Sequence, residues 1–184
     1  MTNDLLHRDA RTRPNSYDPE SRTVSAVIAT PTPVLRRDAR GPFFEVLTAD
    51  TLDLSASESL PVLDSHHTAS VRDQLGRVRS IAEEGGNVVA VLEITSAEDA
   101  APVVQRIADG TVTGVSIGYR VAEWTEKTTP EGRVKSPTRW QITEVTLTSN
   151  PADPNARIRS TEKESTMEPE VIETTAPDDA EKTR

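Results

Sequence analysis

The apolar positions of this chain concentrate between about residues 23 and 160, and most of them form short runs or alternate with polar ones. Residues 24–30 (Val-Ser-Ala-Val-Ile-Ala-Thr) are rich in β-branched side chains and stop at Pro31 and Pro33, which predicts a strand. Residues 43–47, 75–81, 87–95, 111–124 and 139–148 predict five more. Gly85-Gly86, just ahead of the 87–95 run, reads as a hairpin turn. The stretch 125–138 carries two prolines and many charges and reads as a loop. One segment has helical spacing instead. Ser96 can cap it, Glu98 and Asp99 suit the positive end of its dipole, and Ala100, Val103, Val104 and Ile107 share one face. Gly110 ends it at the usual left-handed position. Six strands and one helix predict a small β-rich α+β domain, either a barrel or a sandwich. No repeat of solenoid or propeller period is present.

The two ends lack this patterning. Residues 1–22 mix Arg8, Arg11, Arg13 and Arg22 with Asp4, Asp9, Asp18 and Glu20 and predict a disordered arm. Residues 161–184 hold eight carboxylates against Lys163, Lys182 and Arg184, and no aromatic. They predict an acidic disordered tail, or the first part of a longer scaffold or capsid segment, and contribute over half of the net charge of −9. A domain at 23–160 is left to form the core. Its chain-wide aromatic content of 3% agrees with ends that add little to a core. An acidic chain is poorly suited to nucleic-acid phosphates. No apolar stretch reaches membrane-spanning length, and residues 1–25 contain no apolar block of the signal-peptide kind. The absence of cysteine excludes disulfides, thiolate catalysis and zinc–thiolate or iron–sulfur sites.

Three places could carry chemistry. His66 and His67 follow the short apolar run that starts at Pro61, whereas His7, the third histidine, lies in the arm. Gly114-Val115-Ser116-Ile117-Gly118 has the G-x-S-x-G form of a nucleophile elbow, but its context opposes the α/β-hydrolase reading. The residues after Ser116 continue as strand rather than helix, and no histidine follows Ser116 in the chain. In the plain reading, the two glycines allow close strand packing and Ser116 is merely small. Third, Glu144 interrupts the apolar run 142–147, in phase with Ile142 and Thr146. A half-buried acid needs a partner. Arg120 or Arg139 would be a structural one and a histidine a functional one. The rigid turn Asn150-Pro151-Ala152-Asp153-Pro154-Asn155 follows.

Taken in order, Leu63-Asp64-Ser65-His66, Leu75-Gly76-Arg77-Val78, Gly110 with Gly114-Val115-Ser116-Ile117-Gly118-Tyr119, and Glu144-Val145-Thr146-Leu147 with Asn150 to Ala156 resemble the prohead proteases of tailed phages. These are capsid-maturation serine proteases of the herpesvirus assemblin-like class. The resemblance covers about residues 24–159. It implies a small closed β-barrel with flanking helices, no cofactor and no metal. It also implies an endopeptidase that cuts scaffold or major capsid protein, and itself, inside the assembling procapsid in the host cytoplasm. Membrane and nucleic acid are not expected partners, and the oligomeric state is open.

Carried over by position, Ser116 matches the family nucleophile and His66 the base, in the His-before-Ser order of the family. Many relatives carry an Asp where His67 stands. Herpesvirus relatives support the base with a second histidine, whereas the phage proteins use an acid. Glu144 is the candidate here. Asp64 is its rival, because two residues before His66 on an extended chain it points to the same side. Backbone N–H groups near Ser116, with Arg120, are open candidates for the oxyanion hole. Two other readings compete. One is a non-enzymatic assembly or scaffold protein with the same barrel. The other is a metal-binding β domain using Asp64, His66 and His67, which ranks last because adjacent strand residues point apart.

Overall fold

The computed structural model describes residues 16–55 and 59–160, so residues 1–15 of the expected arm and the whole expected tail, 161–184, lie outside the described residues. Nine strands form in the order β1 (Thr23–Ala29), β2 (Val34–Asp38), β3 (Gly41–Glu45), β4 (Pro61–Asp64), β5 (Gln74–Glu84), β6 (Asn87–Ile94), β7 (Val115–Thr129), β8 (Gly132–Leu147) and β9 (Arg157–Ile158). Among the described residues a single α-helix, α1 (Ala101–Ala108), lies between β6 and β7. The described part of the expected arm is tied to the domain. Ser16 N–H donates to the Arg159 carbonyl (2.8 Å), and Tyr17 packs against the core.

Alternation explains β1, whose Val24, Ala26 and Ile28 all point inward and are almost fully buried. The turn between β5 and β6 is Gly85-Gly86, with φ of +59° and +83°, values that favour glycine over residues bearing a Cβ. Trp140, fully buried, anchors the core through its indole N–H on the Thr48 carbonyl (3.0 Å) and an edge-on contact with Tyr119.

The strands make one mixed sheet in the order β2-β3-β8-β4-β5-β6-β1-β9, with β7 paired to the other edge of β8. β8 runs parallel to both β3 and β4, and the other ladders are antiparallel. The expected closed barrel is therefore not formed. β9 meets the chain just ahead of β7, at the bridge between Gly114 and Arg157 and the Ile158 N–H on the Thr113 carbonyl (2.8 Å), and among the described residues no ladder joins β7 to β1. The cause lies in β9, which follows the double-proline turn and is two residues long, too short to seam β1 to β7 along its length.

Two local expectations also change. Residues 125–138 are not a loop. β7 and β8 pair through this region from Val115↔Leu147 to Thr129↔Gly132, as one long hairpin. Ser96 does not cap the helix. A 3₁₀ turn, Glu98–Ala100, comes first, and α1 begins beyond it with Pro102 in its first turn. Gly110 does take the left-handed conformation, at φ +74°, and Ile107 is fully buried. Among the described residues no helix is long and apolar enough to cross a membrane.

Candidate active site

The site is built where β4, β8 and β7 lie side by side. The parallel register of β4 on β8 sets Leu63 beside Thr146 and Asp64 beside Leu147. Beyond Asp64 the chain does not continue as strand. Ser65 and His66 have φ of +49° and +62°, and His67 N–H donates to the Asp64 carbonyl (2.8 Å), closing a four-residue turn. Left-handed backbone at two successive residues with side chains costs on the order of 1–2 kcal/mol each. Two bonds from β8 offset it. Ser65 N–H donates to the Leu147 carbonyl (3.0 Å), and His66 N–H donates to Thr146 Oγ1 (2.9 Å). The fully buried Thr146 hydroxyl donates in turn to the Leu63 carbonyl (3.0 Å).

This turn brings the His66 ring to Glu144, with Nδ1 and Oε1 2.6 Å apart. The imidazole is about half exposed, whereas the Glu144 side chain is 14% exposed. A carboxylate accepts, so Nδ1 donates, and the neutral ring carries its free lone pair on Nε2. The other oxygen, Glu144 Oε2, is buried with no hydrogen-bond partner among the described residues. Such an anion gains most when the ring it touches becomes an imidazolium.

The rival acid is placed differently. Asp64 accepts from the Ser65 hydroxyl (2.9 Å), and the argument that it shares a side with His66 fails because the segment turns instead of extending. Neither arginine considered as a partner for Glu144 takes that role: Arg139 is bonded to Asp53, and Arg120, opposite Gln141 in the ladder, makes no ion pair with Glu144. His67 is exposed and its ring makes no hydrogen bond or ion pair among the described residues, where no cluster of three or more acid or histidine side chains is placed to hold a metal either.

Ser116 stands opposite Thr146, and Gly118 opposite Glu144, in the β7–β8 ladder. Directly opposed residues share a face of the sheet, so Ser116 lies on the face that carries Glu144 and Thr146, one diagonal from Glu144. Its hydroxyl makes no hydrogen bond among the described residues, to His66 or to any other group. The two glycines flanking Ser116 have separate reasons. A Cβ at Gly114 would sit 2.3 Å from the Thr148 carbonyl oxygen, which is the close strand packing expected. A Cβ at Gly118 would sit 2.5 Å from Glu144 Oε1, so the carboxylate rests on bare backbone. Gly118→Ala should therefore push the Glu144 side chain off His66 while the strands stay paired. Peptide cleavage should fall on the order of 100-fold with little change in the denaturation midpoint, which a urea titration alongside the assay checks. The sequence reading missed Thr146 and Gly118. The signal for both was phase: Thr146 is two residues from Glu144, and Gly118 is two residues from Ser116.

A family model described as caudovirus prohead serine protease matches residues 33–170, three quarters of the chain and all of the site. No curated protein and no solved structure matches the chain.

Proposed function

Because the chain belongs to the caudovirus prohead serine proteases, we propose that it cuts the scaffold or the scaffold-like segment of the capsid protein, and itself, with Ser116 as nucleophile, His66 as base and Glu144 as the acid that supports the base. Membership makes it a capsid-maturation serine peptidase in general, and substrates and residue roles are the added reading. The observation that supports those roles is the His66–Glu144 hydrogen bond on the sheet face shared by Ser116.

The chemistry follows from the side chains. A neutral hydroxyl is a weak nucleophile. As Ser116 Oγ attacks the peptide carbonyl carbon, its proton passes to His66 Nε2, the nitrogen that Glu144 leaves free. The imidazolium formed is held by the buried carboxylate. It returns the proton to the leaving amine as the C–N bond breaks, leaving an ester on Ser116. Water then attacks the ester, gives a proton to His66, and the acid product departs as Ser116 recovers its proton. The base must be neutral to accept that proton.

The test is to incubate the purified chain with a tailed-phage capsid protein and scaffold protein and to follow all chains by mass spectrometry. Discrete new termini in substrate and enzyme, suppressed by an organophosphonate, are expected. Full-length chains after prolonged incubation at neutral pH would overturn the reading.

A further inference from the structure

The unclosed seam between β7 and β1 holds a cavity with Ser116 on its lining. Its volume is about 40 Å³, room for a few water molecules or one small side chain and well short of a small-ligand cleft. Ile28 of β1, Val34 of β2, Leu47, and Ile117 of β7 give it apolar walls, and Ala152 and Ala156 lie beside them.

The backbone of β7 is also free along this seam. Val115 N–H points into it and donates to the Ala156 carbonyl (3.1 Å). Alternate residues of a strand present their N–H and C=O to the same edge, so Ile117 presents both groups there as well. Neither finds a backbone partner among the described residues, since β7 has no ladder on that side.

Of the charges that line the cavity, Glu45 and Arg36 are paired with each other, and Asp153 is held by neutral donors. The buried Glu45 carboxylate accepts from Arg36 Nε (3.3 Å) and from the Tyr119 hydroxyl. Burial, and then the bond to Glu45, push the Tyr119 hydroxyl well above its ordinary pKa, so it remains a donor. Asp153 accepts from the N–H (2.9 Å) and hydroxyl (2.7 Å) of Thr30. An anion entering would find no free cation, since Arg36 is held by Glu45, and the apolar walls would strip the hydration of any charged group without replacing it.

We infer that this seam is the specificity pocket of the peptidase: an extended substrate adds its main chain to the free edge of β7 at Ile117, and the residue whose carbonyl Ser116 attacks drops an uncharged aliphatic side chain into the cavity. The inference rests on the proposed function and adds the substrate class.

The experiment uses the full chain, a peptide library varied at the residue on the acyl side of the scissile bond, and an alkyl fluorophosphonate to count working Ser116. Rates are expressed per labelled site. Ala, Val and Leu should be cleaved at least tenfold faster than Lys, Arg, Asp or Glu. Two variants then reshape the pocket. Ala152→Phe, at an exposed position on the rim, should move the preference toward Ala. Ile117→Ala should widen the cavity and move it toward Leu, Met and Phe. A preference for a charged residue, or profiles unmoved in both variants while labelling persists, would overturn the pocket. Failure of the wild-type chain to label at Ser116 would overturn the peptidase reading beneath it.

Discussion

Ser116→Ala is expected to leave less than roughly one ten-thousandth of the wild-type kcat/KM, the scale of loss when a serine nucleophile is removed. The stability of the domain should barely change. The Ser116 hydroxyl holds no hydrogen bond among the described residues, the position is part-exposed, and Ala removes one oxygen without opening a core cavity. A surface change of that kind falls within about 0.5 kcal/mol. The pair of measurements is what makes the test sharp. A chain that unfolds at the same urea concentration but no longer cleaves has lost chemistry and kept its fold. Residual activity within tenfold of wild type would remove Ser116 from the mechanism.

His66→Ala should come next, with a loss of roughly 10³- to 10⁴-fold. Its neighbours provide the controls. Glu144→Gln keeps the shape that rests on Gly118 but removes the charge facing the ring. That change should slow cleavage by roughly 10²-fold or more, because the imidazolium formed in the reaction loses its counter-ion. Asp64→Asn should not slow it, since that carboxylate is engaged with Ser65. His67→Ala should cleave normally, its ring being exposed and apart from the site. Silence in His67→Ala with activity in His66→Ala would shift the base by one residue. Loss in Asp64→Asn with none in Glu144→Gln would exchange the acids.

Where the chain is half-buried, the sequence was readable. β1 and β6 follow from their β-branched runs, and the Gly85-Gly86 turn from the need for positive φ at both positions. Among the segments that were missed, β4 and β9 hold buried residues but are only four and two residues long, and the others lack a buried face to write a pattern. β2 is an edge strand of sequence Val-Leu-Arg-Arg-Asp with Leu35 turned to solvent. The outer halves of β7 and β8 project from the core, so their polar residues on both faces resemble a loop. Closure failed for a different reason, because a two-residue β9 depends on what the proline turn leaves available. In the site, Glu144 stood out as a charge inside an apolar run. Its bond to His66 did not, because 78 residues separate the two and the contact exists only through the parallel register of β4 on β8. The Asp64 argument assumed extended chain at a place where the backbone turns left-handed.

That left-handed turn makes the proposed base, His66, detachable. Few catalytic histidines can be cut back to glycine without a backbone penalty, but at φ +62° His66 occupies a conformation that glycine adopts freely. His66→Gly should thus leave the turn intact, with Ser116 in position and Glu144 facing a space the size of the missing ring. Free imidazole dissolved in the buffer could fill that space, donate one nitrogen to Glu144 and offer the other to Ser116. Cleavage should then return in proportion to imidazole concentration until the space saturates, which would turn a maturation peptidase into one started by adding a small molecule. An enzyme of this kind could be mixed with its capsid targets while silent and released at a chosen moment.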